Sequence, residues 1–207
     1  MSSGITLLVL EELYKREVRL EIVYFVPEVE VLSEERFLQE RACRGILQNY
    51  ARSGLFEKIC LVSNVALERL AGSTNVIDYY DQINHVFTST YYMMDVFRNA
   101  KAITSTFKKP KEHCRITTIG LDSVDGEEKL FFPLEHPTES MYYYGINEEK
   151  LKTEENLFRK ITNKVKSRIT KEKKASFGIY STKYEDDYVY LETFSPKIQK
   201  FTIDTPE

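Results

Sequence analysis

Apolar positions along this chain switch between helical and strand periods, and the order of the switches predicts most of its elements. Residues 5–16 (ITLLVLEELYKR) are apolar nearly all round and then charged, which predicts a helix packed against a sheet. Residues 19–26 (RLEIVYFV) are β-branched and aromatic and predict a buried strand ended by Pro27. A helix follows from Ser33 to Arg52, with Glu34 and Glu35 in the first turn, where the macrodipole favours acid, and Gly54 as its stop. Phe37, Leu38, Ala42, Ile46, Leu47 and Tyr50 would form its buried stripe. Residues 58–63 (KICLVS) predict a second strand, followed by Asn64, a short helix through Leu70, and Gly72. Strand and helix in alternation are the pattern of a parallel α/β sheet.

The longest periodic stretch is next, with Val76, Ile77, Tyr80, Ile83, Phe87, Tyr91, Met94 and Phe97 spaced mostly three and four apart. A helix over residues 76–98 would be about 35 Å long and would cross a whole domain. Residues 99–113 are rich in lysine and threonine and contain Pro110, which predicts a loop. Beyond them, residues 115–121 and 129–134 read as strands around an Asp125-Gly126 turn, and residues 141–146 as another strand. Residues 148–171 predict one amphipathic helix with Leu151, Leu157, Phe158, Ile161, Val165 and Ile169 on one side. Residues 176–182 and 188–194 predict a closing hairpin around the acidic turn 184–187. The pattern by itself predicts an α/β fold of two α/β units, over residues 1–75 and 114–207, joined by a long central helix over 76–98 and a loop over 99–113.

Composition narrows the function classes. With 42% hydrophobic content, 207 residues can bury one generous core or two modest ones. The charge is balanced, 29 basic against 32 acidic residues, so no global field points to nucleic acid or membrane. Lysines around residues 160–174 alternate with apolar positions, as on a solvated helix face. Cys43, Cys60 and Cys114 are odd in number and lack metal-ligand spacing, which predicts no disulfide framework, no metal site and a reducing cytoplasmic setting. The apolar run from Ile5 to Leu10 is too short to span a bilayer and precedes Glu11 and Glu12, so no anchor or export signal is expected.

Three residues suggest a ligand. Tyr80 and Asn84, four apart on a helix, share one face and can offer a stacking ring and an amide to a planar molecule. Asn64, at a strand end, offers a second amide, and two amides can read the mixed donor and acceptor edge of a purine. The alternative is that Tyr80 belongs to the core stripe, in which case a buried Asn84 would need a partner of its own.

The stretch Cys60-Leu61-Val62-Ser63-Asn64-Val65-Ala66-Leu67 resembles the strand, Asn and short helix that hold guanine in tubulin and FtsZ. Tyr80-Asp81-Gln82-Ile83-Asn84-His85 is similar to the Tyr-x-x-x-Asn run opening the central helix of that family. Met1-Ser2-Ser3-Gly4-Ile5 resembles the end of the family's glycine-rich GGTGSG signature, and the element order of residues 114–207 resembles its smaller domain. The chain is thus similar to the carboxy-terminal two-thirds of a tubulin/FtsZ-type GTPase, nearer to the bacterial and phage branch (FtsZ, TubZ), and the resemblance implies that residues 1–75 form a partial Rossmann-like parallel sheet lacking its amino-terminal strands and residues 114–207 the family's smaller α/β domain. The resemblance implies GTP or GDP, with Mg accompanying GTP. Guanine would lie on Asn64, Tyr80 and Asn84, phosphate on Ser2, Ser3 and Gly4, and ribose near Glu30. It implies head-to-tail filaments with copies of the chain or a full-length homologue, serving division or phage or plasmid DNA partitioning, without direct contact to nucleic acid or membrane. Family catalysis uses an acidic loop after the central helix. Here that segment, Thr104-Ser105-Thr106-Phe107-Lys108-Lys109-Pro110-Lys111-Glu112, is basic, and Glu112 is its only acid. The family's first phosphate loop has no counterpart in residues 1–207. A non-hydrolysing filament partner or cap of the same fold is the alternative.

Overall fold

A computed structural model describes residues 3–16, 18–28, 32–72, 75–124 and 126–200, with side chains from residue 8 onward. Helix α1 (Ser3–Lys15), strand β1 (Glu21–Val26), helix α2 (Glu34–Ser53), strand β2 (Lys58–Ser63), helix α3 (Asn64–Ala71) and helix α4 (Tyr79–Asn99) come first. Then follow β3 (Thr104–Ser105), β4 (Ile116–Asp122), β5 (Lys129–Leu130), β6 (Glu139–Asn147), α5 (Glu148–Thr153), α6 (Leu157–Ser167), β7 (Lys174–Thr182) and β8 (Tyr188–Ser195).

One mixed sheet carries all of them, in the order β1-β2-β4-β8-β6-β7-β3, with β5 paired to β4. The parallel pairs are β1 with β2, β2 with β4, and β6 with β7. The sheet therefore runs unbroken from the amino-terminal unit into the carboxy-terminal one. β2 shows why its sequence is a continuous apolar run. Ile59 and Leu61 pack towards α2, while Cys60 and Val62 pack towards α3 and α4, so alternate residues serve two cores. α6 and the opposite faces of β6 and β7 form a third core around Tyr142, Tyr144 and Ile161.

Several local expectations are corrected. β1 is the edge of the sheet and only Val26 is buried along it, because a single neighbour, β2, pairs with it. α2 begins and ends as expected, with the Ser33 hydroxyl accepting from Arg36 N and Gly54 in the left-handed region at φ 88. Its buried face, however, is Glu40, Arg44, Leu47, Gln48 and Ala51, whereas Leu38, Ile46 and Tyr50 are exposed. Polar residues can occupy that face because they are partnered there: Arg44 lies 3.2 Å from Glu40, and Tyr24 donates to Glu40. Gln48 reads the Gln199 backbone, donating to its carbonyl and accepting from its N–H.

α4 starts at Tyr79, so Val76 and Ile77 lie before it and are almost fully exposed. The single helix expected over 148–171 is two. The Asn147 side chain caps α5, Glu154 turns extended, and α6 restarts to place Leu157, Ile161 and Val165 on the sheet, leaving Phe158 and Ile169 exposed. Of the strand expected over 129–134, residues 129–130 pair with β4 as β5, and Phe131 extends the contact by donating to Ile119 O and accepting from Ser63 N. β7 and β8 are not a hairpin, because β6 lies between them, parallel to β7 through the α5–α6 crossover and antiparallel to β8. The acidic turn is fastened to that crossover, with Asp187 accepting from Lys150 Nζ and from Asn147 N.

Candidate functional site

The parallel strand β2 delivers the chain to the site. At its end the Ser63 hydroxyl accepts from Ala66 N and caps α3, so Asn64, the first residue of α3, keeps an exposed side chain with no capping duty. The carboxyl end of a parallel strand is where open α/β sheets place ligands. The turn into α4 is closed by Asn75, which accepts from Asp78 N at 2.8 Å and donates to the Asp78 carboxylate at 2.6 Å. Tyr79 then donates to Glu68 at 3.1 Å and ties the start of α4 to α3.

Tyr80 follows at 73% exposure, its ring edge-on to Tyr79, and Asn84 one turn later is also exposed. Core packing of α4 falls instead to Ile83, Met94 and Phe97, which are buried, with Phe87 and Tyr91 partly so. The pair foreseen as ligand-reading thus stands in solvent on one helix face, outside the core. α3, which begins with Asn64, packs along the same helix.

The other foreseen residues are dispersed. Ser2 and Glu30 lie outside the described residues, and Ser3 and Gly4 form the first turn of α1, with side chains also outside them. Glu112 is exposed beyond the far end of α4, where its carbonyl accepts from Arg115 Nε at 2.7 Å. Acidic groups surround the Tyr80 end. Partial desolvation raises the Tyr79 hydroxyl above its ordinary pKa, and Glu68 and Glu28 push it the same way.

The opposite end of α4 carries a cluster that sequence reasoning missed. Glu192 on β8 is buried and takes Lys58 from β2 and Arg98 from the last turn of α4, each at 2.6 Å. Burial alone would raise the Glu192 pKa, but Lys58 and Arg98 outweigh it and hold the carboxyl below its usual range. No short-range spacing in the sequence links positions 58, 98 and 192. The available signal is Glu192 as the one charged residue of β8, a strand of otherwise uncharged residues. A cavity of about 260 Å³ opens beside this cluster, between Lys58, Glu192 and Phe194 on one side and Lys109, Lys111 and Arg115 on the other.

Among the described residues no helix is long and apolar enough to cross a membrane. No protein-family model and no curated protein matches the sequence. Solved structures do match. CetZ from Methanosaeta thermophila strain DSM 6194 superposes with a TM-score of 0.62 at 18% identity, over 93% of this chain and 57% of that one. An empty FtsZ dimer from M. jannaschii gives 0.58 at 12% identity, over 93% and 59%. GDP-form protofilaments of Bacillus thuringiensis serovar israelensis TubZ give 0.57 at 15% identity, over 94% and 60%. This chain therefore spans less than two thirds of the length of the structures it matches.

Proposed function

We propose that this chain, which has the tubulin/FtsZ fold, is part of a filament-forming guanine-nucleotide protein. Asn64, Tyr80 and Asn84 hold the base, and copies or full-length homologues assemble head to tail. The observation that carries the reading is the exposure of Tyr80 and Asn84 on one face of α4, beside the helix that begins with Asn64 at the end of β2. A stacking ring contributes about 1 kcal/mol beyond its buried area, and each amide adds about 1 kcal/mol of directional recognition. Ser3 and Gly4, in the first turn of α1, would offer backbone N–H groups to phosphate, with Ser2 and Glu30 completing the phosphate and ribose contacts. Mg would accompany GTP and supply charge neutralisation at the phosphates.

One specific observation favours the non-hydrolysing variant of this reading. The segment after α4 presents Lys108, Lys109 and Lys111 exposed to solvent, with Glu112 as the only acid available to polarise a water.

Saturation-transfer NMR with GTP, guanosine and ATP on the full chain tests the base site and detects weak binding. Guanine protons should receive saturation and adenine protons much less, and both Tyr80→Ala and Asn84→Ala should remove the difference. Equal transfer to ATP, or indifference to both substitutions, would overturn the assignment.

A further inference from the structure

The two edges of the sheet are finished differently. β3, at one edge, is only two residues long, and a very short strand blunts an edge against further pairing. β1, at the other, runs in unbroken register over the six residues Glu21–Val26, with no lysine, proline or bulge to guard it. Which of its backbone groups are free follows from its neighbours. Ile59 N donates to Arg115 O just before β4, so in the parallel register Lys58, Cys60 and Val62 turn towards β1, and Ile22 and Tyr24 turn towards them. The N–H and C=O groups of Glu21, Val23 and Phe25 therefore point away from the sheet, and among the described residues no strand pairs with them.

Both faces beside this edge carry apolar groups in solvent. On one, helix α1 leaves Leu8 and Val9 exposed; on the other, Phe25 is 41% exposed and stands edge-on to Phe87 at 4.9 Å. An occupant that satisfies the outward groups must be extended, because a strand presents N–H and C=O groups at the matching spacing. It must also be apolar on both sides, since its alternate side chains would enter both faces, as those of β2 do. A second copy pairing two-fold through β1 does not meet these conditions. α2 lies on β2 and β4, and α1 shares a core with Leu20, Ile22 and Tyr24, which puts α1 over β1 itself. Two paired β1 strands would bring two α1 helices to about 5 Å of each other, whereas packed helices need about 8–10 Å. A single strand brings no such helix with it.

We propose that the outer edge of β1 takes up an extended apolar segment of another polypeptide, about six residues long, which joins the sheet as an added strand beside β1. This surface uses none of Asn64, Tyr80 and Asn84, so it stands or falls independently of the base-site reading.

Hydrogen exchange followed by NMR tests it with a defined probe, the peptide acetyl-Lys-Thr-Val-Ile-Val-Thr-Val-Lys-amide, against a control peptide with proline in place of the isoleucine. In the chain alone the amides of Val23 and Phe25 should exchange freely while those of Ile22 and Tyr24 are protected. With ~1 mM peptide, exchange at Val23 and Phe25 should slow at least about tenfold, and the control peptide should leave it unchanged. Val23→Pro removes an outward N–H without touching the ladder to β2, and Phe25→Lys sets a guarding charge at an exposed position. Each should abolish the slowing at the remaining outward amides while Ile59 and Leu61 stay protected, which reports an intact fold. Absence of slowing, slowing that survives both substitutions, or an equal effect of the control peptide would each overturn the proposal. Protection of Val23 and Phe25 that rises with the concentration of the chain alone would assign the edge to a second copy and overturn it as well.

Discussion

Arg98 Nη2 lies 2.6 Å from Glu192 Oε2, joining the last turn of α4 to the middle of β8, and Lys58 approaches the other carboxylate oxygen from β2 at the same distance. One buried carboxylate therefore fixes the central helix against strands from both halves of the sheet. Glu192→Gln would leave two cations facing a neutral amide. Because Lys58 and Arg98 are 15% and 21% exposed, the loss should fall at the lower end of the range for broken buried pairs, about 3 kcal/mol. Urea unfolding at neutral pH measures it, and a change under about 0.5 kcal/mol would show that the cluster does not bind the halves together.

The same carboxylate sets an acid limit. Its folded pKa is depressed by Lys58 and Arg98 against the opposing effect of burial. Its contribution is therefore present above the unfolded value of about 4.3 and disappears as pH falls through the lower folded value. The stability difference between the wild-type chain and Glu192→Gln should be largest near neutrality and shrink below about pH 4. A difference that grows in acid would contradict the assigned sign.

Asn84→Ala should separate recognition from folding. The side chain is exposed and α4 is held by Ile83, Met94 and Phe97, so the melting temperature should stay within about 1 °C. Guanosine affinity in an NMR titration should fall about tenfold, the equivalent of ~1.4 kcal/mol. A lowered melting temperature with unchanged affinity would assign the residue to packing.

Gly120 sits where β5 crosses closely over β4. A Cβ there would meet Lys129 O at 2.5 Å and Leu130 Cα at 3.0 Å, both backbone atoms that cannot rotate aside. Gly120→Ala should cost about 2 kcal/mol through displacement of β5. Chemical denaturation of the variant checks this, and a neutral effect would mean that β5 is not held in place.

Thiol reactivity should follow burial. Cys60 is enclosed between β2 and the α3–α4 layer, and burial pushes its thiol up to about 12, while Cys114 is buried beside Thr138. Cys43 is only half-buried. An aromatic disulfide reagent at pH 8 should therefore modify Cys43 first, with Cys60 reacting only after unfolding. Fast labelling of Cys60 in the folded chain, read by peptide mass, would contradict the packing of β2.

Much of the outline was legible because it depends on signals within a few residues. Ser33 and Gly54 bracket α2 since a hydroxyl satisfies a free N–H and a glycine tolerates φ 88, whatever lies elsewhere. The four-residue spacing of Tyr80 and Asn84 put them on one helix face before any fold was known. Tertiary structure alone decided which side of each element met the core. α2 buries Glu40 and Gln48 because Tyr24 and the Gln199 backbone are there to partner them, with Arg44 paired to Glu40, and α4 leaves Tyr80 in solvent although it fits the apolar period. The insertion of β6 between β7 and β8, and the meeting of Lys58, Arg98 and Glu192, join residues separated by up to 134 positions. The sequence by itself determined local conformation, through caps, turns and periodicity. Pairing order and the burial of charge were decided only when distant segments closed on one another, because their energies depend on partners that no local pattern contains.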